Sequence, residues 1–273
     1  MKGNKYMLMC FLPATLLYTT YALRQFQAIT YINIAIALLL FDDNILKNKK
    51  ISIAVSILLI FLAYHTHAGT LIYAIVFLVY MFFRWLKPLT YKVTITAYLI
   101  AIVFSNIITQ FFSDVILSYI HLFELSEHFQ GYINNIDSRV LGSDSMDQKT
   151  FGHGGIYQIF HYIGYACILY IMGKALEIKP NKKVTIIYNV VVIAILLQQL
   201  FFIQEIMRRI IDPFAILYFI PLGYALNVFW EYRKQPFKGY IFYGCCVIMS
   251  LLLIYYPMLN FLTSFELAGF VWN

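Results

Sequence analysis

Three short stretches of this 273-residue chain hold residues whose types and spacing suit chemistry. Arg24 and Gln25 lie in YALRQFQAIT, between two apolar runs. His65 and His67 lie in AYHTHAGT, inside a run from Ile51 to Phe83 with no Asp, Glu, Lys or Arg. Arg208 and Arg209 lie in QEIMRRIIDPFAILYF. Guanidinium matches phosphate or carboxylate bidentately, and imidazole carries a proton near neutral pH. Ionisable groups in apolar segments are costly, which makes them functional candidates. Together they suggest a phosphate-bearing ligand and a proton transfer.

Each stretch also has a plainer reading. Arg24 either snorkels to the headgroups or clamps phosphate from an internal cavity, with Gln25 beside it. Arg208 and Arg209 point about 100° apart on a helix. One pairs with Glu205 or Asp212 in a structural network; the other, for which Arg209 is favoured, faces a cavity. Pro213 would start or kink the helix that follows. His65 and His67 diverge by about 200° on a helix, so they are no helical metal pair, and no carboxylate or cysteine stands nearby. They form either a polar hairpin tip or a site where one imidazole acts as base or phosphate ligand. No metal site is expected. There is no Walker A loop, no GxGxxG and no GxSxG elbow, and Asp42-Asp43 lacks the spacing of many nucleotide-sugar enzymes.

These residues need apolar helices to position them. Hydrophobic residues make up 62% of the chain and charged residues 12%, against about 25% charged in soluble domains. The mean hydropathy is +0.74. The chain reads as a single all-α domain, 1–273, a polytopic integral membrane helical bundle. Lys and Arg clusters at 2–5, 47–50, 84–92, 179–183 and 233–238 mark the cytoplasmic side. Between them lie about nine spans, near 6–22, 28–42, 51–64, 69–84, 93–112, 156–174, 184–204, 211–230 and 240–258. Spans two to four are short, which predicts thinning, re-entrance or broken helices. The N-terminus is then cytoplasmic and the C-terminus extracytoplasmic. The hairpin tip falls near His65 to Gly69. Residues 113–155 form one long, acidic, extracytoplasmic loop.

That topology sorts the basic residues. Among the lysines only Lys149 lies outside, but Arg24, Arg139, Arg208, Arg209 and all six histidines fall on the outer half. The net charge of +7 therefore reads as orientation and implies no nucleic-acid binding. Cys10, Cys167, Cys245 and Cys246 fall in spans and read as small buried apolar residues without disulfides.

Three segments in order, LRQFQA (23–28), LAYHTHA (62–68) and RIIDPFAILYFIP (209–221), resemble the EpsG-like family of bacterial exopolysaccharide polymerases, a Wzy-type group. The family's Arg-Gln corresponds to Arg24 and Gln25, its histidine best to His65 and its late arginine to Arg209. Two departures stand out: a single span precedes Arg24 where members usually have more, and Pro213 replaces an aromatic. The chain then reads as a short member or one lacking an N-terminal part.

The resemblance implies a GT-C-like membrane polymerase in the bacterial inner membrane. It would join undecaprenyl-pyrophosphate-linked oligosaccharide repeat units into exopolysaccharide or capsule at the outer face. Arg24, Gln25 and Arg209 would hold the pyrophosphate, and His65 would take the acceptor's proton. Phe129, Tyr132 and Arg139 of the long loop would close over the glycan. No cofactor or metal is required. The lipid-linked oligosaccharide and the bilayer are the expected partners, with a chain-length regulator or flippase of the same pathway. The competing expectations are a membrane acyltransferase acting on surface glycans and a non-catalytic transporter or scaffold in polysaccharide export.

Overall fold

The computed structural model describes residues 6, 9–10, 23–45, 48–66, 88–120, 156–201, 211 and 214–267. The described residues form helices and turns, with no strand among them. The helices are α1 (Leu23–Ile45), α2 (Lys49–Thr66), α3 (Tyr91–Ile120), α4 (Ile156–Ile178), α5 (Lys182–Leu200), α6 (Phe219–Glu231, entered by a 3-10 turn at Ile216–Tyr218) and α7 (Tyr240–Leu267). Tyr6, Met9 and Cys10 are also helical.

Two helices start on the same sequence device. Asn48 Oδ1 accepts from the backbone N–H of Lys50 (3.0 Å) and of Ile51 (3.4 Å). Asn181 Oδ1 accepts from Lys183 N (3.1 Å) and Val184 N (3.2 Å). Each asparagine satisfies N–H groups that a helix start leaves without partners. The lysine pairs that follow sit at the positive end of the helix dipole, where they weaken the helix.

Helices α1 and α2 form an antiparallel hairpin. A three-residue link spans only about 10 Å, so two helices packed along their length must run in opposite directions. Ser56 fixes the register: its Oγ lies 3.1 Å from the Ala35 carbonyl across the interface and 2.7 Å from the Ser52 carbonyl in its own helix. Counting away from that pair brings Ala28 level with Ala63, and both are fully buried. The facing stripes are Ala28, Ile32 and Ala35 on α1 and Ser52, Ser56 and Ala63 on α2. Small residues let two backbones approach closely, and van der Waals contact then holds helices that lipid gives no hydrophobic reason to associate.

The second group is built on α4. Tyr243 on α7 places its hydroxyl 2.9 Å from the Ala225 carbonyl of α6 and 3.1 Å from the Ile171 carbonyl of α4. On α4, a Cβ at Gly173 would stand 2.7 Å from Tyr188 Oη of α5 and 2.8 Å from Tyr91 Cβ of α3. The three helices therefore meet where only glycine fits. Helix α5 is buried on every side from Val184 to Val192, as expected of a central helix. Leu89 N donates to Asn189 Oδ1 (3.1 Å), which ties the start of α3 to α5.

The outer surface is apolar. Ile57 and Phe61 on α2, Val103 and Ile107 on α3, and Ile241 and Ile248 on α7 are exposed, whereas Ser52, Ser56, Thr94, Asn189, Gln199 and Ser250 are buried. A water-soluble fold sorts side chains the other way; this sorting suits hydrocarbon as the solvent. Three helices, Lys49–Thr66, Ile159–Ile178 and Lys182–Leu200, are long and apolar enough to cross a membrane. The described part of the chain is all-helical, and its three apolar helices suit membrane association.

Several expected boundaries move. The second span, expected at 28–42, is the 23-residue α1, and the third, expected at 51–64, is the 18-residue α2. At 1.5 Å per residue these reach about 35 and 27 Å against about 30 Å of hydrocarbon, so α1 is longer than expected and α2 stays slightly short. The span expected at 93–112 is the 30-residue α3, so Ser113–Ile120 is helix and not loop. Its single acid, Asp114, did not stop an otherwise apolar run. The last span, expected at 240–258, is the 28-residue α7. Cys245 is exposed on α7, unlike Cys10 and Cys246, which are buried; Cys167 is half-buried and all four are free thiols. Consecutive residues on a helix differ by about 100°, so Cys245 and Cys246 cannot share the buried face. The expected span 69–84 and most of 6–22 lie outside the described residues, as does the loop beyond Ile120.

Candidate functional site

Arg24 and Gln25 belong to the first turn of α1 and not to a connection before it. His65 belongs to the last turn of α2. From the Ala35–Ser56 pair, Arg24 lies eleven residues along α1 and His65 nine along α2, about 16 and 13 Å at the helical rise. The hairpin register therefore brings the Arg24–Gln25 backbone and His65 to one end, within about 3 Å of the same level. Lys49 and Lys50 occupy the other end.

His65 faces outward. Ala63 is buried against α1, and a residue two positions later points about 200° away, so His65 lies on the exposed flank of α2. Its ring meets Phe61 edge-on, with centroids 4.4 Å apart, and Tyr64 at 5.6 Å. Both aromatics are themselves exposed. Among the described residues the imidazole thus stands in an open aromatic notch on the apolar surface. Thr66 donates to the Leu62 carbonyl (2.8 Å), closing the last turn beside it. On α1, Gln27 donates to Tyr31 Oη (2.9 Å), one turn beyond Arg24.

His67, Arg208, Arg209, Phe129, Tyr132 and Arg139 lie outside the described residues, as do Glu205, Asp212 and Pro213. His161 is described. It sits on α4 with its ring 4.7 Å from that of Tyr165, on a different helix from His65. Among the described residues no three His, Cys, Asp or Glu side chains gather as metal ligands.

One interior polar group gave no signal in the sequence. Tyr98 on α3 is 1% exposed, and its hydroxyl has no hydrogen-bond partner among the described residues. It faces the stretch of α4 that carries Tyr162 and Tyr165. With 23 tyrosines in the chain, composition could not single it out.

The opposite kind of surface gathers where α4, α6 and α7 meet. Lys179 lies 2.8 Å from Glu231, joining the α4–α5 turn to the end of α6. Lys179, and after it Asn227, donate to the Glu231 carboxylate and hold that carboxyl below the usual carboxylate range. Lys174 pairs with Glu177 at 3.0 Å. The basic clusters around 179–183 and 233–238 therefore lie at one end of this helix group. No family model, curated protein or solved structure matches this chain.

Proposed function

We propose that the chain is a membrane polymerase that joins lipid-pyrophosphate-linked oligosaccharide repeat units at the outer face of the bacterial inner membrane. The proposal includes about nine spans in a GT-C-like arrangement, with the N-terminus cytoplasmic. The observation that carries this reading is the α1–α2 register, which holds the Arg24–Gln25 backbone level with His65, away from the lysine end. The resemblance of LRQFQA, LAYHTHA and RIIDPFAILYFIP to the EpsG-like pattern supports it.

In this reaction a hydroxyl oxygen of the incoming unit attacks the anomeric carbon of the growing chain. The bond from that carbon to the lipid pyrophosphate breaks, and the pyrophosphate leaves with the electron pair. Arg24 and Arg209 meet the charge that develops on it. His65 accepts the hydroxyl proton. The exposure of His65 suits a lipid-borne substrate, which arrives sideways from the bilayer. Phe61 and Tyr64 would then offer apolar faces to a sugar ring.

The test is complementation of a deletion strain with Arg24→Ala, His65→Ala and Arg209→Ala variants of matched abundance. Loss of polymer with accumulation of single lipid-linked units is expected. Restoration of full-length polymer by all three variants would remove this site from consideration.

A further inference from the structure

We infer that the turn between α6 and α7, with Trp230, Arg233, Lys234 and Lys238, is a docking site for anionic phospholipid headgroups. The proposal does not depend on the polymerase reading. It rests on three observations.

First, the guanidinium is held in place. Arg233 lies over the Trp230 ring at 4.4 Å and donates through Nη1 to the Trp230 carbonyl at 2.7 Å. Stacking and one hydrogen bond orient the planar fork while its other N–H groups remain to meet phosphate oxygens. Less side-chain freedom is then lost when a headgroup binds.

Second, the charge is uncompensated. The acid closest in sequence, Glu231, is engaged by Lys179 and Asn227. Arg233, Lys234 and Lys238 are exposed, and no ion pair joins them to an acid among the described residues. Lys182, on the turn that Lys179 ties to this end, is exposed as well.

Third, the turn has the make-up of a headgroup-layer segment. Trp230 is half exposed, and Phe237 packs edge-on against Tyr232, Tyr240 and Tyr243. Ile241 and Phe242 follow at once as exposed apolar residues. An amphipathic ring beside basic residues, directly before a hydrocarbon-facing surface, is the composition of a membrane interface. Gly239, at φ 86°, makes the reversal into α7.

The test uses the full chain in detergent, with Trp85 and Trp272 replaced by Phe so that Trp230 is the sole tryptophan. Brominated phosphatidylglycerol or brominated phosphatidylcholine is titrated in mixed micelles, and quenching of Trp230 is read. Half-maximal quenching is expected at an at least about tenfold lower fraction of the anionic lipid, since each basic residue near an anionic surface contributes about fivefold. The Lys234→Gln/Lys238→Gln pair, both surface positions, should remove most of that preference. So should salt near 1 M, where screening acts within about 3 Å. Equal quenching by the two lipids, or a preference untouched by the lysine variants, overturns the proposal. Displacement of the lipid by millimolar inorganic phosphate also overturns it, because the site would then be one for free phosphate.

Discussion

Ser56 reaches across the first helical hairpin to the backbone of Ala35, its Oγ 3.1 Å from that carbonyl. The contact sets which residues of α1 and α2 stand level, and so which polar groups share an end of the hairpin.

The register itself can be trapped. In a background with the four native cysteines replaced by Ser, Ala28→Cys with Ala63→Cys should form a disulfide under mild oxidation in membranes. Ile34→Cys with Ala63→Cys should not, because Ile34 is exposed. Failure of the first pair to cross-link, or equal yields from both, would show that the register is wrong. Ser56→Ala should cost only about 0.6 kcal/mol, as interhelical hydrogen bonds in membranes do. Ser56→Leu should separate the helices and abolish the cross-link.

The helical glycines should differ in tolerance. At Gly173 a methyl meets Tyr188 and the Tyr91 Cβ, next to its backbone, so Gly173→Ala is expected to lose about 1–3 kcal/mol by overpacking. At Gly164 the obstacle is the flexible Leu253 side chain, and the loss should be smaller. At Gly244 the nearest atoms, on the Phe229 ring, lie at an ordinary 3.4 Å, and Gly244→Ala should be near neutral. Thermal unfolding in detergent would rank the three. A Gly173→Ala protein as stable as the parent contradicts the three-helix crossing.

The Lys179–Glu231 pair carries a defined pH dependence. The folded state holds the Glu231 carboxyl below its unfolded value, so the pair stabilises the protein above the ordinary carboxylate range. That contribution fades as pH falls through the depressed folded value. The pair is exposed, so its worth is about 0–1 kcal/mol and should shrink with salt. The melting-temperature difference between the parent and Glu231→Gln should be small and positive at neutral pH and close to zero in acid. A difference that grows on acidification would reverse the sign argued here.

Because Lys179 and Glu231 join two turns, those turns are expected to share a membrane side. Cysteines placed at Lys182 and Lys238 should react with an impermeant maleimide under the same conditions, and only after the cytoplasmic face is opened. A cysteine at Thr66 should react in intact cells once the outer barrier is passed. Labelling of Lys182→Cys and Lys238→Cys from opposite sides would break the shared end.

The chain's composition determined its solvent. With so few charges and so many apolar residues, hydrocarbon suits the chain as solvent, and its long apolar runs satisfy the backbone there as helices. The positions of α2, α4, α5 and α7 follow from their apolar runs. Sequence also singled out Arg24, Gln25 and His65 by the cost of placing them there. Their relative level was beyond it, because it depends on a hydrogen bond between residues 21 positions apart. The same holds for the outward face of His65, which follows from Ala63 being the residue buried against α1. It holds for Gly173 too, whose necessity appears only where three helices cross. Charge patterns and hydropathy act locally along the chain, whereas register and crossing are set by which small residues let two backbones meet.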